Sequence, residues 1–425
     1  MSNVHATLGK YILADGEPIV LDLDNSFGCY VFDKVTGKKY LDCSSQYASM
    51  ALGWNHPKLV EISDWLGKIA LHKVSNSDYY TEILSDFVEK FASIATDFSH
   101  FFFIEGGALA VENSIKAAFD WKVRKLGYSE NNAPNDLVDN LDVIHLEQSF
   151  HGRSGYTLSL TNTIPNKVAL FPKFQWTRIK NPKIKFPMVE SEIANNRTDE
   201  EFSLIQAEEA LKNKCVAAII LETIQSEGGD NHFSPSYFAE LRMLADKYEA
   251  MLILDEVQTG VGLTGKMWGY EHFGIIPDMI SFGKKTQVCG FASTNRINSS
   301  TKNVFNVSSR ISSTWGGNIV DMARFSKIID IIKEDNLLQN TVNVGDYFLQ
   351  ELQKLPTISN IRGKGLMLAF DLEDKQKRDE VLQKLLQHML ILPCGQRSIR
   401  VRPSLIFSKE YVDEAISYIK KAIMA

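Results

Sequence analysis

The chain has 425 residues, with 46 basic and 52 acidic side chains and a net charge of −6. Hydrophobic residues make up 44% and charged residues 23%, a globular composition that excludes disorder, collagen or coiled coil as a description of the whole. Such mild acidity gives no footprint for nucleic acid and no polybasic patch for a membrane.

Residues 1–55 carry short alternating stretches, such as Tyr30-Val31-Phe32 and Lys39-Tyr40-Leu41-Asp42, around Gly28 and Gly37. They predict small strands and turns. Asn55-His56-Pro57 marks a loop, and a helical pattern follows. The middle of the chain then repeats one theme. Continuous apolar runs occur at 100–105, 141–146, 216–222, 251–256 and 278–283. Runs of this length suit strands covered on both faces. Helical patterns at 108–126 and 235–248 lie between them, the second opened by Ser234-Pro235. Strands alternating with helices imply a mostly parallel sheet, which binds ligands where its strands end. Residues 193–214 predict a polar surface helix. From about 320 the pattern changes to helices at 321–334 and 341–354, a stretch at 362–370, a helix at 375–388, a strand pair at 391–402 and a last helix at 409–424. That predicts a smaller α+β domain.

The five cysteines, Cys29, Cys43, Cys215, Cys289 and Cys394, are scattered and contain no Cys-x-x-Cys. They are expected to be reduced, which points to a cytoplasmic protein. No signal peptide is evident, and no apolar run approaches the ~20 residues that span a bilayer. The histidines show no His-Glu-x-x-His or paired Cys/His spacing, so no metal site is expected.

Four features carry chemistry. Glu105-Gly106-Gly107-Ala108 joins a predicted strand to a helix, where free N–H groups can cradle a phosphate. A plain tight turn is the alternative, and the spacing is that of neither the Walker loop nor Gly-x-Gly-x-x-Gly. Asp255-Glu256-Val257-Gln258-Thr259-Gly260 ends the most apolar strand, and a carboxylate there needs a cationic partner unless it merely caps the next turn. Ser281-Phe282-Gly283-Lys284-Lys285 ends another strand and puts Lys284 29 residues after Asp255, about one strand–helix–strand step. A lysine in a partly apolar site can lose its proton and form an imine. Ser149-Phe150-His151-Gly152-Arg153 offers an aromatic face to a flat ligand. A phosphate cradle, an aromatic face, a buried acid and an imine-forming lysine together match pyridoxal phosphate.

With these residues in place the sequence resembles the class III (ω-) aminotransferases of pyridoxal-phosphate fold type I. The motifs are Leu254-Asp255-Glu256-Val257-Gln258-Thr259-Gly260, Phe150-His151-Gly152-Arg153, Phe282-Gly283-Lys284 and Thr314-Trp315-Gly316-Gly317-Asn318. Within that family it is most similar to the lysine ε-aminotransferase subgroup, through residues 103–113, 225–233 and 283–290. The resemblance implies an α/β fold: a large domain (56–318) with a mostly parallel seven-stranded sheet, a small α+β domain (319–425), and an N-terminal segment (1–55) packed with the small domain.

It also implies roles. Lys284 would hold the cofactor covalently and move the proton, and Asp255 would pair with the pyridinium. Gln258 would contact the ring hydroxyl and Phe150 would stack on the ring. Gly107 and Ala108 would donate N–H groups to the phosphate. Thr314 would reach the phosphate from the neighbouring subunit, making a homodimer part of the site. Arg153 would grip the α-carboxylate of L-lysine. Either Arg400 or Arg402 would take the α-carboxylate of 2-oxoglutarate or glutamate, and Glu227 would cover that arginine in the lysine half-reaction. Lys285 has no implied role. Ornithine or 4-aminobutyrate are the alternative amines, and a binding module or an aminomutase the rival classes. Three positions depart from the broader family: Ala108-Leu109 stands where many members carry Ser-Glu, and Leu263 where an arginine is common.

Overall fold

The computed structural model describes residues 3–424. Its main sheet has seven strands in the order His100–Ile104, Cys289–Ser293, Met279–Phe282, Met251–Asp255, Cys215–Glu222, Leu141–Leu146 and Arg178–Ile179. Only Cys289–Ser293 runs against its neighbours in this sheet; the other six strands share one direction. The apolar runs are continuous because both faces are covered. Ala218, Ile220, Met251 and Ile253 pack beneath Val111, Ile115 and Trp121 of helix Gly107–Lys125. The alternate residues Ile219, Leu221, Leu252 and Leu254 meet Phe87, Phe91, Phe238 and Leu241 on the opposite face. Two strands had no counterpart among the five apolar runs. Arg178–Ile179 has only two residues, and Cys289–Ser293 interrupts its apolar residues with Gly290.

The helices form where their caps allow. Ser234 accepts from the Tyr237 N–H and places Pro235 at the first turn of Pro235–Lys247. Asp374 does the same for Lys375–Leu385 through Lys377. Helix Ile319–Glu334 buries Met322, Phe325 and Ile329 in the larger core with Phe87 and Phe91.

A second core surrounds an antiparallel sheet in the order Ser359–Lys364, Met367–Asp371, Ser398–Val401, Leu392–Cys394. Helices Leu337–Gln353, Lys375–Leu385 and Lys409–Met424 cover it. Cys29, Leu41, Cys43 and Ala48 join this core. Strand Lys39–Asp42 pairs with Tyr30–Phe32 on one side and, in parallel, with Met389–Leu390 on the other. Among the described residues no helix is long and apolar enough to cross a membrane.

Candidate active site

Four strands of the main sheet end at one place. Leu141–Leu146 runs into the turn bearing Phe150 and His151, Cys215–Glu222 ends on Glu222, Met251–Asp255 on Asp255, and Met279–Phe282 leads through Gly283 to Lys284. In register Glu222 lies opposite Asp255, and Asp255 opposite Ser281. Parallel neighbours of this kind stand about 4.8 Å apart, so the chemistry is gathered at the carboxyl edge of the sheet. A cavity of ≈ 980 Å³ opens there, bounded on its far side by Leu392–Gly395 and Arg400 of the small domain.

Asp255 is buried and both its oxygens are held. Oδ2 accepts from His151 Nδ1 at 2.8 Å, and Oδ1 from the Val257 N–H at 3.0 Å. His151 therefore carries its proton on Nδ1 and fixes the plane of the carboxylate. Sequence reasoning left His151 without a role, because its partner lies 104 residues away along the chain. Glu222 beside it accepts from the Phe150 and Ser226 N–H groups, each at 3.0 Å. Burial first, and the nearby Asp255 charge in addition, push the Glu222 carboxyl up to about 7.

Lys284 opens a short 3₁₀ turn, Lys284–Thr286, with a left-handed φ of 53°. That conformation costs a non-glycine residue about 1–2 kcal/mol and marks a functional constraint. Burial lowers its amine from the ordinary lysine range, and the Arg400 charge adds to this while Asp255 opposes it. A depressed ammonium is what imine formation and proton transfer require. The next residue, Lys285, is buried and donates to the Ala48 carbonyl at 2.8 Å. Burial holds its amine well below the usual lysine range. Gln287 donates to the Ser49 carbonyl at 3.0 Å, and Gln258 reaches the Tyr47 carbonyl at 3.4 Å. Three side chains thus staple the left-handed stretch Ser45–Ala48 and the adjoining Ser49 over the cavity, where Tyr47 and Ser49 form part of the wall.

The candidate phosphate cradle is the start of helix Gly107–Lys125. Its first turn carries no acid and its last turn carries Lys122, Arg124 and Lys125, so the positive end of the helix dipole is left for an anion. A Cβ on Gly152 would stand 2.5 Å from Ala108 Cβ. Only glycine, here at φ 116°, lets the turn that carries Phe150 close onto the cradle. Cys289, expected only to be a reduced thiol, lines the same cavity.

Lys284, Asp255, Gly107, Ala108, Phe150, Gln258, Arg153, Glu227 and Arg400 all line this one cavity. Arg153 lies exposed on its wall. Thr314 and Arg402 do not line it. Thr314 is exposed, and its carbonyl accepts from Ser75 Oγ. Arg402 is buried behind the wall, ion-paired with the equally buried Asp230. Arg400 makes no ion pair among the described residues, and its Nε is buried without a partner. His151 Nε2 and Ser226 Oγ, also of cavity residues, are buried and unpartnered too.

These groups fit pyridoxal phosphate. Phe150 would stack on its ring, Asp255 would pair with the ring nitrogen, the Gly107 and Ala108 N–H groups would hold the phosphate and Lys284 the aldehyde. Among the described residues no cluster of His, Cys, Asp or Glu could hold a metal ion.

Comparison with known proteins agrees. The family model described as aminotransferase class-III matches residues 11–423. The chain is 44% identical to an L-lysine-epsilon aminotransferase of Amycolatopsis lactamdurans, over 97% of this chain and 94% of that protein. It is 33% identical to a 4-aminobutyrate aminotransferase of Kluyveromyces lactis, over 98% of this chain and 93% of that one. A solved structure of lysine aminotransferase from M. tuberculosis in the internal aldimine form superposes with a TM-score of 0.93 at 44% identity, covering 99% of this chain and 98% of that one. A strand-end lysine and acid around a phosphate cradle, and a match running almost from end to end, have one reading: the chain belongs to the class III aminotransferases, pyridoxal-phosphate enzymes of this fold.

Proposed function

We propose that this aminotransferase moves the ε-amino group of L-lysine to 2-oxoglutarate, giving allysine, which cyclises to piperideine-6-carboxylate, and L-glutamate. The observation that carries the reading is the 44% identity, over 97% of the chain, to a relative named for the lysine ε-amine, against 33% for the 4-aminobutyrate relative. The cavity supports it with two arginines that make no ion pair among the described residues: Arg153, exposed on the wall, and Arg400, buried on the small-domain side. Arg153 would bind the lysine α-carboxylate, setting Cε rather than Cα over Lys284. Arg400 would bind a carboxylate of 2-oxoglutarate as a two-pronged guanidinium.

Pyridoxal phosphate, when bound, supplies the carbonyl that takes the amine and a ring that accepts electrons. The chain does the rest. Lys284 Nζ, held below its usual basicity, would take the proton from Cε and pass it to a carbon of the bound cofactor. Asp255, fixed by His151 and Val257, keeps a negative charge against the ring nitrogen. Glu227 would cover Arg400 while lysine reacts, since an open Arg400 would draw the lysine α-carboxylate and present the wrong amine. We further propose a cytoplasmic homodimer in which Thr314 of the partner subunit reaches the phosphate. All five cysteines are free thiols, which suits a reducing compartment.

The test is to incubate the purified enzyme and cofactor with lysine and 2-oxoglutarate and locate the aldehyde by mass spectrometry. An ε-aldehyde with stoichiometric glutamate is expected. Faster turnover of ornithine or 4-aminobutyrate in parallel reactions overturns the lysine assignment.

A further inference from the structure

Glu227 does not touch Arg400 in this structure; its carboxylate is bound elsewhere. Glu227 Oε1 accepts from Thr163 Oγ1 at 2.6 Å and lies 2.9 Å from Lys167 Nζ. Lys167 sits on the one-turn helix Pro165–Val168, and its amine also stands 5.6 Å over the Phe150 ring. The pair is partly shielded, with the two side chains 34% and 18% exposed. The other cation is near. The Glu227 carbonyl accepts from the Gly395 N–H at 2.8 Å, next to strand Leu392–Cys394, in which Leu392 is paired with Arg400. Lys167, Glu227 and Arg400 line the same cavity, and Arg400 Nε is buried without a partner.

One carboxylate thus shares a cavity wall with two cations and is held by Lys167 through Oε1. A buried, unpartnered guanidinium is the stronger attractor on electrostatic grounds alone. An amine and a hydroxyl acting on the same oxygen offset that pull. We propose that Lys167, assisted by Thr163, is a positioning residue that clasps Glu227 away from Arg400 and so keeps Arg400 open to a dicarboxylate substrate. The inference rests on the reading that Arg400 binds the dicarboxylate. It adds a residue outside every motif that carries the family resemblance, and it sets which of two substrates the cavity is ready for.

The test measures glutarate, an unreactive dicarboxylate, binding to the cofactor-loaded enzyme, followed by the change in the visible absorbance of the bound cofactor. The variants are Lys167→Met, Lys167→Arg, Glu227→Gln and the double variant Lys167→Met/Glu227→Gln. With the two positions of Glu227 near balance, removing a partly shielded ion pair should shift their ratio about fivefold, so that Lys167→Met weakens glutarate binding about threefold. Lys167→Arg should restore it. In the Glu227→Gln background Lys167→Met should change the Kd by less than about twofold, because no charge remains to be repositioned. Equal weakening in both backgrounds would mean that Lys167 meets the dicarboxylate itself, which overturns the clasp. An unchanged Kd for Lys167→Met overturns it too. If wild-type enzyme ignores glutarate, or if Arg400→Gln leaves its affinity intact, the reading of Arg400 fails first and takes the clasp with it.

Discussion

Replacing His151 by alanine tests the core of the site. Asp255 has two partners, His151 Nδ1 at 2.8 Å and the Val257 N–H at 3.0 Å, and it is almost wholly buried. A hydrogen bond to a buried charged group contributes about 1.5–3 kcal/mol. Losing it frees the carboxylate to rotate about its side chain while one oxygen stays on Val257. If that energy is spent on holding Asp255 against the ring nitrogen, the cofactor dissociation constant rises roughly 10- to 150-fold. The assay is a cofactor titration of the apoprotein by absorbance, with thermal melts run with and without cofactor to separate affinity from folding. His151→Asn, which keeps an N–H donor, should recover part of the loss. Binding of the cofactor by His151→Ala within twofold of wild type, with His151→Asn no better, would refute the assignment of His151 as the group that positions Asp255.

The two candidate arginines should part company. Arg402→Met strands the buried Asp230 carboxylate and should destabilise the fold by about 3–5 kcal/mol in chemical denaturation. Arg400→Gln removes an unpaired cation and should leave stability intact while glutarate affinity falls; the reverse pattern would reassign them. Glu222 and Glu256 are both pushed up to about 7 by burial from a usual 4.5. Below pH 4.5 both acids are protonated whether folded or unfolded. Between about 4.5 and 7 the unfolded chain ionises while the folded one keeps its protons, so stability falls as pH rises through that window and levels off above it. Thermal melts should show that slope, and Glu222→Gln or Glu256→Gln should each flatten it; an unaltered slope in both would refute the burial argument.

Much of this was legible before any coordinates. The strands at 251–256 and 278–283 read directly as apolar runs, because a strand covered on both faces has no polar face to interrupt it. Asp255 and Lys284 could be placed at their carboxyl ends and Gly106-Gly107 at a helix start, but the expected helix between the two strands is only the 3₁₀ turn Gly269–His272. The motifs then named the cofactor. Partners across the fold were another matter. Nothing near His151 in sequence points to Asp255, and nothing near Lys285 points to the Ala48 carbonyl. Arg400 and Arg402 are two residues apart on one extended segment and looked equivalent. Packing put Asp230 against Arg402 and left Arg400 at the cavity.

The sequence by itself determined the alternation of strands and helices, the family, and which side chains could bear charge at the sheet edge, because hydrophobic periodicity and motif spacing are local properties. Only the tertiary structure decided which partner each acid meets. Asp255 found His151, Glu227 found Lys167, and Asp230 found Arg402. Those pairings depend on distances of a few ångströms between segments far apart in the chain, where Coulomb attraction and desolvation change steeply and composition carries no record of them.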